Sequence, residues 1–268
     1  MHGLGNDFVV IDAINQTVQL NAEQVKQLAD RHYGIGFDQL LLVKEAQSAA
    51  DFRYVIYNAD GSEVSQCGNG ARCFALFVRQ KGLTNKANIR VETGAGDLLL
   101  HVNDDQQVSV DMGEPVFAPC GIPLLFEQQK TTYSVNLSGN EINFSALSMG
   151  NPHAVIQVAD VATADVISLG AQLENHSLFP ERANVGFSEI IDPAHIRLRV
   201  YERGAGETLA CGSGACAAAV AGIQLGLVSS PVNVTLTGGD LNIEWLGEGY
   251  SVKMTGPANF VFDGMIEL

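Results

Sequence analysis

Glu207-Thr-Leu-Ala-Cys211-Gly-Ser-Gly-Ala-Cys216 has a near copy in the other half of the chain, Glu63-Val-Ser-Gln-Cys67-Gly-Asn-Gly-Ala-Arg-Cys73. In both, a Glu stands four residues ahead of a Cys, Gly-x-Gly follows, and an apolar, Ala-bearing run suited to a helix comes next. The pattern predicts a strand-to-helix turn with a thiol at the helix entrance. Backbone N–H groups at a helix start, with the positive end of the helix dipole, favour an anion there, either a thiolate or a bound carboxylate. A cysteine in that setting is expected to have a lowered pKa and to serve as a base or nucleophile, whereas one buried in apolar packing stays inert.

Other landmarks keep the same spacing. The offset from Asn6 to Asn151 is 145 residues, from Cys67 to Cys211 it is 144, and from Pro115 to Pro257 it is 142. Solenoid repeats are far shorter, at roughly 20 to 50 residues, so a duplicated domain is the better account. The stretch from Met112-Gly-Glu-Pro115 to Pro123 marks the boundary. We expect lobes over residues 1–113 and 114–256, packed as a pseudo-symmetric pair with their helix starts facing across a cleft. A further strand at the C-terminus, within 257–268, is expected to return to the first lobe.

Within each lobe the strand signals are short and separated by turn residues, as in Ile89 to Thr93, Leu98 to Val102 and Val108 to Met112. Asn21 and Gln24 predict a capped helix to about Asp30. Ala215-Cys-Ala-Ala-Ala-Val-Ala-Gly-Ile is apolar on every side, so its helix should be buried all round. The expected fold is α+β: two pseudo-symmetric domains, each a curled, mostly antiparallel sheet around a central buried helix.

Composition narrows the function. The 268 residues are 46% hydrophobic, with a formal net charge of -15. That charge argues against nucleic-acid and anionic-membrane partners, which need clustered Lys and Arg. The start lacks a signal-peptide pattern and no stretch approaches a membrane span, so a cytoplasmic protein is expected. Five cysteines in a chain of this size suggest reduced thiols, not a disulfide framework. Cys73 and Cys216 read as helix core and Cys120 as a loop residue. The Cys spacings do not suit zinc, and Gly68-x-Gly70 lacks the third Gly and βαβ setting of a dinucleotide site.

Two helix-entrance thiols permit a reaction needing a base on one face of a carbon and an acid on the other, which is inversion at a stereocentre. The N–H groups at Gly68, Asn69, Gly212 and Ser213 could hold the α-carboxylate where carbanion charge grows. No Lys has a cofactor setting, so cofactor-free chemistry without metal is expected. Without further information, a dithiol redox or small-ligand-binding protein remains the alternative, and a Cys67–Cys211 disulfide under oxidation would mimic one. Glu63 and Glu207 read as structural.

Gly5-Asn6-Asp7-Phe8, Asn58-Ala-Asp-Gly-Ser-Glu63, Gln66-Cys67-Gly-Asn-Gly-Ala-Arg72, Met149-Gly-Asn-Pro-His153, Ala183-Asn184-Val-Gly, Tyr201-Glu-Arg-Gly-Ala-Gly-Glu-Thr208 and Ala210-Cys211-Gly-Ser-Gly-Ala together resemble the diaminopimelate epimerase family along the whole chain. Either Cys motif alone would also fit proline racemase-like isomerases. The resemblance implies a two-domain fold, cofactor-independent conversion of LL- to meso-2,6-diaminopimelate in lysine and peptidoglycan precursor biosynthesis, and a homodimer. It makes Cys67 and Cys211 the acid/base pair, with His153 and Glu202 in catalytic support. It places Asn6, Gln39, Asn58, Asn151, Asn184, Glu202 and Arg203 around the substrate, with Gly68, Asn69, Gly212 and Ser213 on the reacting carboxylate. Met1 begins inside the Met-His-Gly-Leu-Gly-Asn motif, and a short first strand is expected there.

Overall fold

Leu40-Leu-Leu-Val43 has no polar side, so a strand built from it must be covered on both faces, and all four residues are buried. The computed structural model describes residues 1–64 and 67–267; Ser65, Gln66 and Leu268 lie outside that description. The chain forms two compact units, Met1–Asp111 with Thr255–Leu268, and Met112–Met254.

The first unit runs β1 (His2–Gly3), β2 (Asn6–Asp12), α1 (Ala22–Ala29), β3 (Gln39–Lys44), β4 (Phe52–Asn58), β5 (Glu63–Val64), α2 (Gly68–Gln80), β6 (Asn88–Thr93), β7 (Gly96–Val102) and β8 (Val108–Asp111). Its sheet is antiparallel at β1–β2, β3–β4, β4–β5, β6–β7 and β7–β8. The joins β2–β3 and β4–β6 are parallel, because a helix-bearing crossover separates each pair in the chain. α1 starts with the full capping box, Asn21 and Gln24 exchanging side-chain and backbone bonds. It lays Val25, Leu28 and Ala29 on Leu40, Leu42 and Val55. The alternate side chains of the same strands meet α2, whose residues Asn69 through Val78 are all buried.

The second unit repeats the scheme with β9 (Tyr133–Leu137), β10 (Asn140–Ser148), β11 (Pro152–Gln157), α3 (Val166–Glu174), β12 (Asn184–Asp192), β13 (His195–Glu202), β14 (Gly206–Thr208), α4 (Gly212–Gln224), β15 (Val232–Leu236), β16 (Gly239–Glu244) and β17 (Lys253–Gly256), whose last two residues fall in the first unit. Parallel joins recur at β11–β12 and β13–β15. α4 packs against β10, β11, β12, β13, β15 and β16, and its run Ala215 through Ala221 is 0% exposed, as an all-apolar helix requires. The amphipathic α3 covers the opposite face over an aromatic cluster that includes Tyr133, Phe144 and Phe179.

One expected element is absent. Among the described residues beyond Gly256 only Asn259 pairs, in a single bridge to His2, and residues 260–267 form no strand. Pro257 cannot donate to a ladder and Asp263-Gly264 breaks the apolar alternation, leaving Val261, Phe262, Met265 and Ile266 exposed. Among the described residues no helix is long and apolar enough to cross a membrane.

Gly61 sits at φ +83°, and a Cβ there would lie 2.4 Å from the carbonyl oxygen of Ala22. Gly61→Ala is expected to destabilise the protein by about 1–3 kcal/mol in urea denaturation. An unchanged midpoint would show that the turn relaxes freely.

Candidate active site

A helix must begin with donors that its own ladder cannot use, and a cysteine stands at that point in each unit. In the first, Cys67 is the N-cap of α2, with extended backbone (φ -147°, ψ 116°). Its carbonyl accepts the first ladder bond from the Ala71 N–H at 2.8 Å, and its Sγ accepts the N–H of Gly70 at 3.5 Å. The buried Tyr54 hydroxyl donates to the same carbonyl at 3.3 Å. Burial, then the nearby Cys67 and Cys73 sulfurs, push the Tyr54 phenol up, so it stays a donor. A Cβ on Gly70 would lie 2.2 Å from that hydroxyl, so only glycine lets the helix start this near the sheet.

The side chains singled out in this unit form two groups. Asn69, in the first turn of α2, donates from Nδ2 to Asn6 Oδ1 at 3.3 Å. At the mouth of β3 and β4, Gln39 Nε2 donates to Asn58 Oδ1 at 2.9 Å, and Asn58 Nδ2 donates to Ser62 Oγ at 3.2 Å. Among the described residues the buried Gln39 Oε1 has no hydrogen-bond partner. Gln66, part of the motif, lies outside the described residues. Cys73 is core: burial lifts its thiol to about 12.

In the second unit Cys211 is the N-cap of α4, and the Ala215 N–H opens the ladder to its carbonyl at 2.9 Å. The thiol is buried, and its pKa is not lowered as its place at a helix start suggests. Burial raises it well above the ordinary cysteine value, and the charge and hydrogen bond of Glu202 raise it further. The hydroxyl of Ser213 and the N–H of Gly214 pull the other way but lose. Cys211 therefore holds its proton at neutral pH. Cys216, one turn further along α4, is buried core; Cys120 is exposed but lies in the short 3₁₀ helix Pro119–Gly121 rather than in the loop expected for it.

A directional chain of hydrogen bonds leads to this sulfur. His153 is buried, and burial followed by the charge of Arg203 takes its pKa down to about 3, so its ring is neutral. His153 Nε2 lies 3.0 Å from Asn151 Oδ1, Asn151 Nδ2 donates to Ser213 Oγ at 3.3 Å, and Ser213 Oγ lies 3.7 Å from Cys211 Sγ. An amide oxygen only accepts, so the imidazole proton is on Nε2. The Ser213 oxygen receives the Asn151 N–H and still carries a proton that it can give the sulfur once Cys211 ionises; with Cys211 protonated either atom can be the donor. Asn184 accepts the Arg203 N–H at 3.0 Å and donates to the Pro152 carbonyl at 3.1 Å, tying the start of β11 to the turn after β13. Gly68 and Gly212 open α2 and α4.

Several supporting residues were not singled out from sequence. Thr208 Oγ1 donates to Glu202 Oε1 at 2.5 Å, and Tyr54 supports the Cys67 turn. Thr208 lies inside a quoted motif, but only the pairing of β13 with β14 shows which carboxylate it meets. Glu207 forms a two-bonded ion pair with Arg199 at 2.6 and 2.9 Å, a structural link between the same two strands.

The family model described as diaminopimelate epimerase matches residues 1–118 and 145–261. The diaminopimelate epimerase of Nitrosospira multiformis is 57% identical over 268 residues, spanning 100% of this chain and 97% of its own. That of Nitrosomonas europaea is also 57% identical over 268 residues, spanning 100% and 98%. A hydroxyproline epimerase from Agrobacterium vitis, crystallised with trans-4-hydroxy-L-proline, superposes with a TM-score of 0.67 at 15% identity, over 96% of this chain and 87% of that one. This last likeness is one of fold.

A Cβ on Gly214 would lie 3.2 Å from Cys211 Sγ and 3.1 Å from Val200, so Gly214→Ala is expected to displace the thiol. Thiol alkylation and turnover should both change while unfolding shifts by about 1 kcal/mol; unaltered alkylation would contradict the contact. His153 gives a second expectation. Its folded pKa, about 3, is below the unfolded value of 6.5, so its contribution to stability is present above pH 6.5 and is lost as pH falls toward 3. His153→Gln should flatten the wild-type decline over that window in denaturant titrations at several pH values; an identical slope would place the ring in water.

Proposed function

The chain belongs to the diaminopimelate epimerase family, and on that premise we propose that it interconverts LL- and meso-2,6-diaminopimelate with Cys67 and Cys211 as the acid/base pair. The observation that carries the reading is that each cysteine caps the first turn of a buried helix, beside donors able to hold a carboxylate. Inversion requires the two sulfurs to address the α-carbon from opposite faces. One removes the α-proton as thiolate, and the other delivers a proton as thiol.

The raised pKa of Cys211 suits it to enter as the acid, with Cys67 as base, for one direction. In the other direction Cys211 must ionise, and the Ser213 hydroxyl stands ready to donate to its sulfur. His153, neutral and enclosed, does not carry the migrating proton; it fixes the Asn151 amide and through it Ser213. Glu202, steadied by Thr208, biases Cys211 toward the thiol.

The N–H groups of Gly68 and Asn69 and of Gly212 and Ser213 hold the reacting carboxylate as carbanion charge develops. At the distal end Arg203 takes the carboxylate and Asn58 and Asn184 the remaining polar atoms; Glu202, hydrogen-bonded to Cys211, serves an ammonium group from the reacting side, with Asn6, Gln39 and Asn151 completing the binding set. No cofactor or metal is assigned a step. We place the enzyme in the cytoplasm, on the route to lysine and peptidoglycan precursors. We also propose a homodimer, supported by the exposed Val261, Phe262, Met265 and Ile266 on one C-terminal segment.

In deuterated buffer the wild type is expected to exchange the α-hydrogen of diaminopimelate and invert the centre, and to leave proline unchanged. Cys67→Ser and Cys211→Ser should each lose about 10²- to 10⁴-fold in turnover. Full epimerisation by either variant would remove the two-thiol mechanism.

A further inference from the structure

Asn6 and Asn151 occupy equivalent positions in the two units, yet their amides point opposite ways. Asn151 turns its Nδ2 to the residue after the helix-opening glycine, Ser213, whereas Asn6 turns its Oδ1 to the matching residue, Asn69. The other side of each amide explains the difference. His153 presents an N–H to Asn151 Oδ1; Asp38 presents a carboxylate oxygen to Asn6 Nδ2 at 2.9 Å. An ionised carboxylate has no proton to give, so the Asn6 nitrogen must face it.

Asp38 is itself locked. Its Oδ2 also accepts the Asp7 N–H at 3.1 Å, and its own N–H donates to Asp7 Oδ1 at 2.7 Å. Arg31 bridges the two acids, with bonds of 2.8 and 2.9 Å to the Asp7 oxygens and 2.8 Å to Asp38 Oδ1. The loop that carries Arg31 to Asp38 turns at Gly36, φ +80°, where a Cβ would lie 3.0 Å from the Arg31 Cα. Arg31 and Asp7 are more than a third exposed, and ion pairs in water add little to stability, so the value of this assembly lies in orientation. Asp7 shows its grip: burial pushes the carboxyl up, but the Arg31 hydrogen bonds and charge and the Asp38 N–H outweigh that and hold it below the usual range.

We propose that Asp38, clamped by Arg31 and Asp7, is a positioning residue that sets the Asn6 amide with its oxygen toward α2, steadying Asn69 beside Cys67 and leaving one Asn6 N–H for the substrate. This rests on the reading of Asn6 and Asn69 as substrate contacts. Asp7 touches Arg31 and Asp38 but not the Asn6 amide, which separates orientation from simple strand tethering.

Asp38→Ala takes the acceptor away from Asn6 Nδ2 and leaves the Asn6 amide free to turn away from Asn69. It is expected to lower kcat/KM at least about tenfold, with part of the loss in kcat because Asn69 serves the reacting carboxylate. Asp7→Asn removes the same charge from the same clamp and should stay within about threefold of wild type in kcat/KM, even where its melting temperature falls further. Asp38→Asn, whose amide oxygen can still accept from Asn6 Nδ2 while its NH2 turns to Arg31, should fall between them and serves if Asp38→Ala does not fold. Equal losses in the Asp7 and Asp38 variants, or losses that track melting temperature, would overturn the proposal. Wild-type turnover of diaminopimelate tests the functional reading; the ranking of variants at fixed substrate tests the clamp.

Discussion

Each cysteine turn depends on a helix that begins close against its sheet, tightly at Gly214 and closer at Gly70 than a Cβ permits. At Gly70 the obstacle is the Tyr54 hydroxyl, 2.2 Å from where a Cβ would stand; at Gly214 it is Val200 and the Cys211 sulfur, at 3.1 and 3.2 Å. Tyr54 and Val200 come from equivalent strands, β4 and β13, so duplication preserved the approach while changing what is approached. That closeness places a thiol, a helix's leading donors and buried strand side chains within one turn. A wider approach would let water take those donors and weaken their hold on a developing charge.

Around Cys211, enclosure and a neighbouring carboxylate favour the neutral thiol. A carboxylate beside a buried thiol costs most when that thiol ionises, so Glu202 acts on one protonation state more than on position. The amides are treated in an analogous way: a neutral imidazole directs Asn151 and a carboxylate directs Asn6.

Much of this was legible beforehand because it rests on local rules. The α1 cap is written in Asn21 and Gln24, the buried α4 in its alanine run, and the duplication in the nearly equal offsets that separate Asn6 from Asn151, Cys67 from Cys211 and Pro115 from Pro257. The parallel joins were not legible, since strand direction depends on crossovers that strand composition does not encode. The hairpin of β9 and β10 was also missed although it was legible: Tyr133-Ser-Val-Asn-Leu137 alternates buried and exposed residues, and Ser138-Gly139 makes its turn. At the site, sequence named the cysteines and amides, while amide direction, the neutral state of His153 and the upward shift of Cys211 depend on neighbours distant in the chain. The strand expected over the last residues failed because apolar content was read without a partner to pair with.

The return of the tail has a consequence for biogenesis. His2 and Asn259 exchange backbone bonds at 2.9 and 2.8 Å, and the Arg72 guanidinium, wholly enclosed in α2, reaches the Pro257 carbonyl at 3.1 Å. The second unit is one continuous stretch of chain and has all its strands available once Met254 has been made. The first begins earlier in the chain, yet it lacks its closing contacts until residues 255–259, beyond the whole of the second, have been made. The half that is translated first is therefore the half that must be completed last, with the Arg72 charge awaiting its carbonyl in the interval.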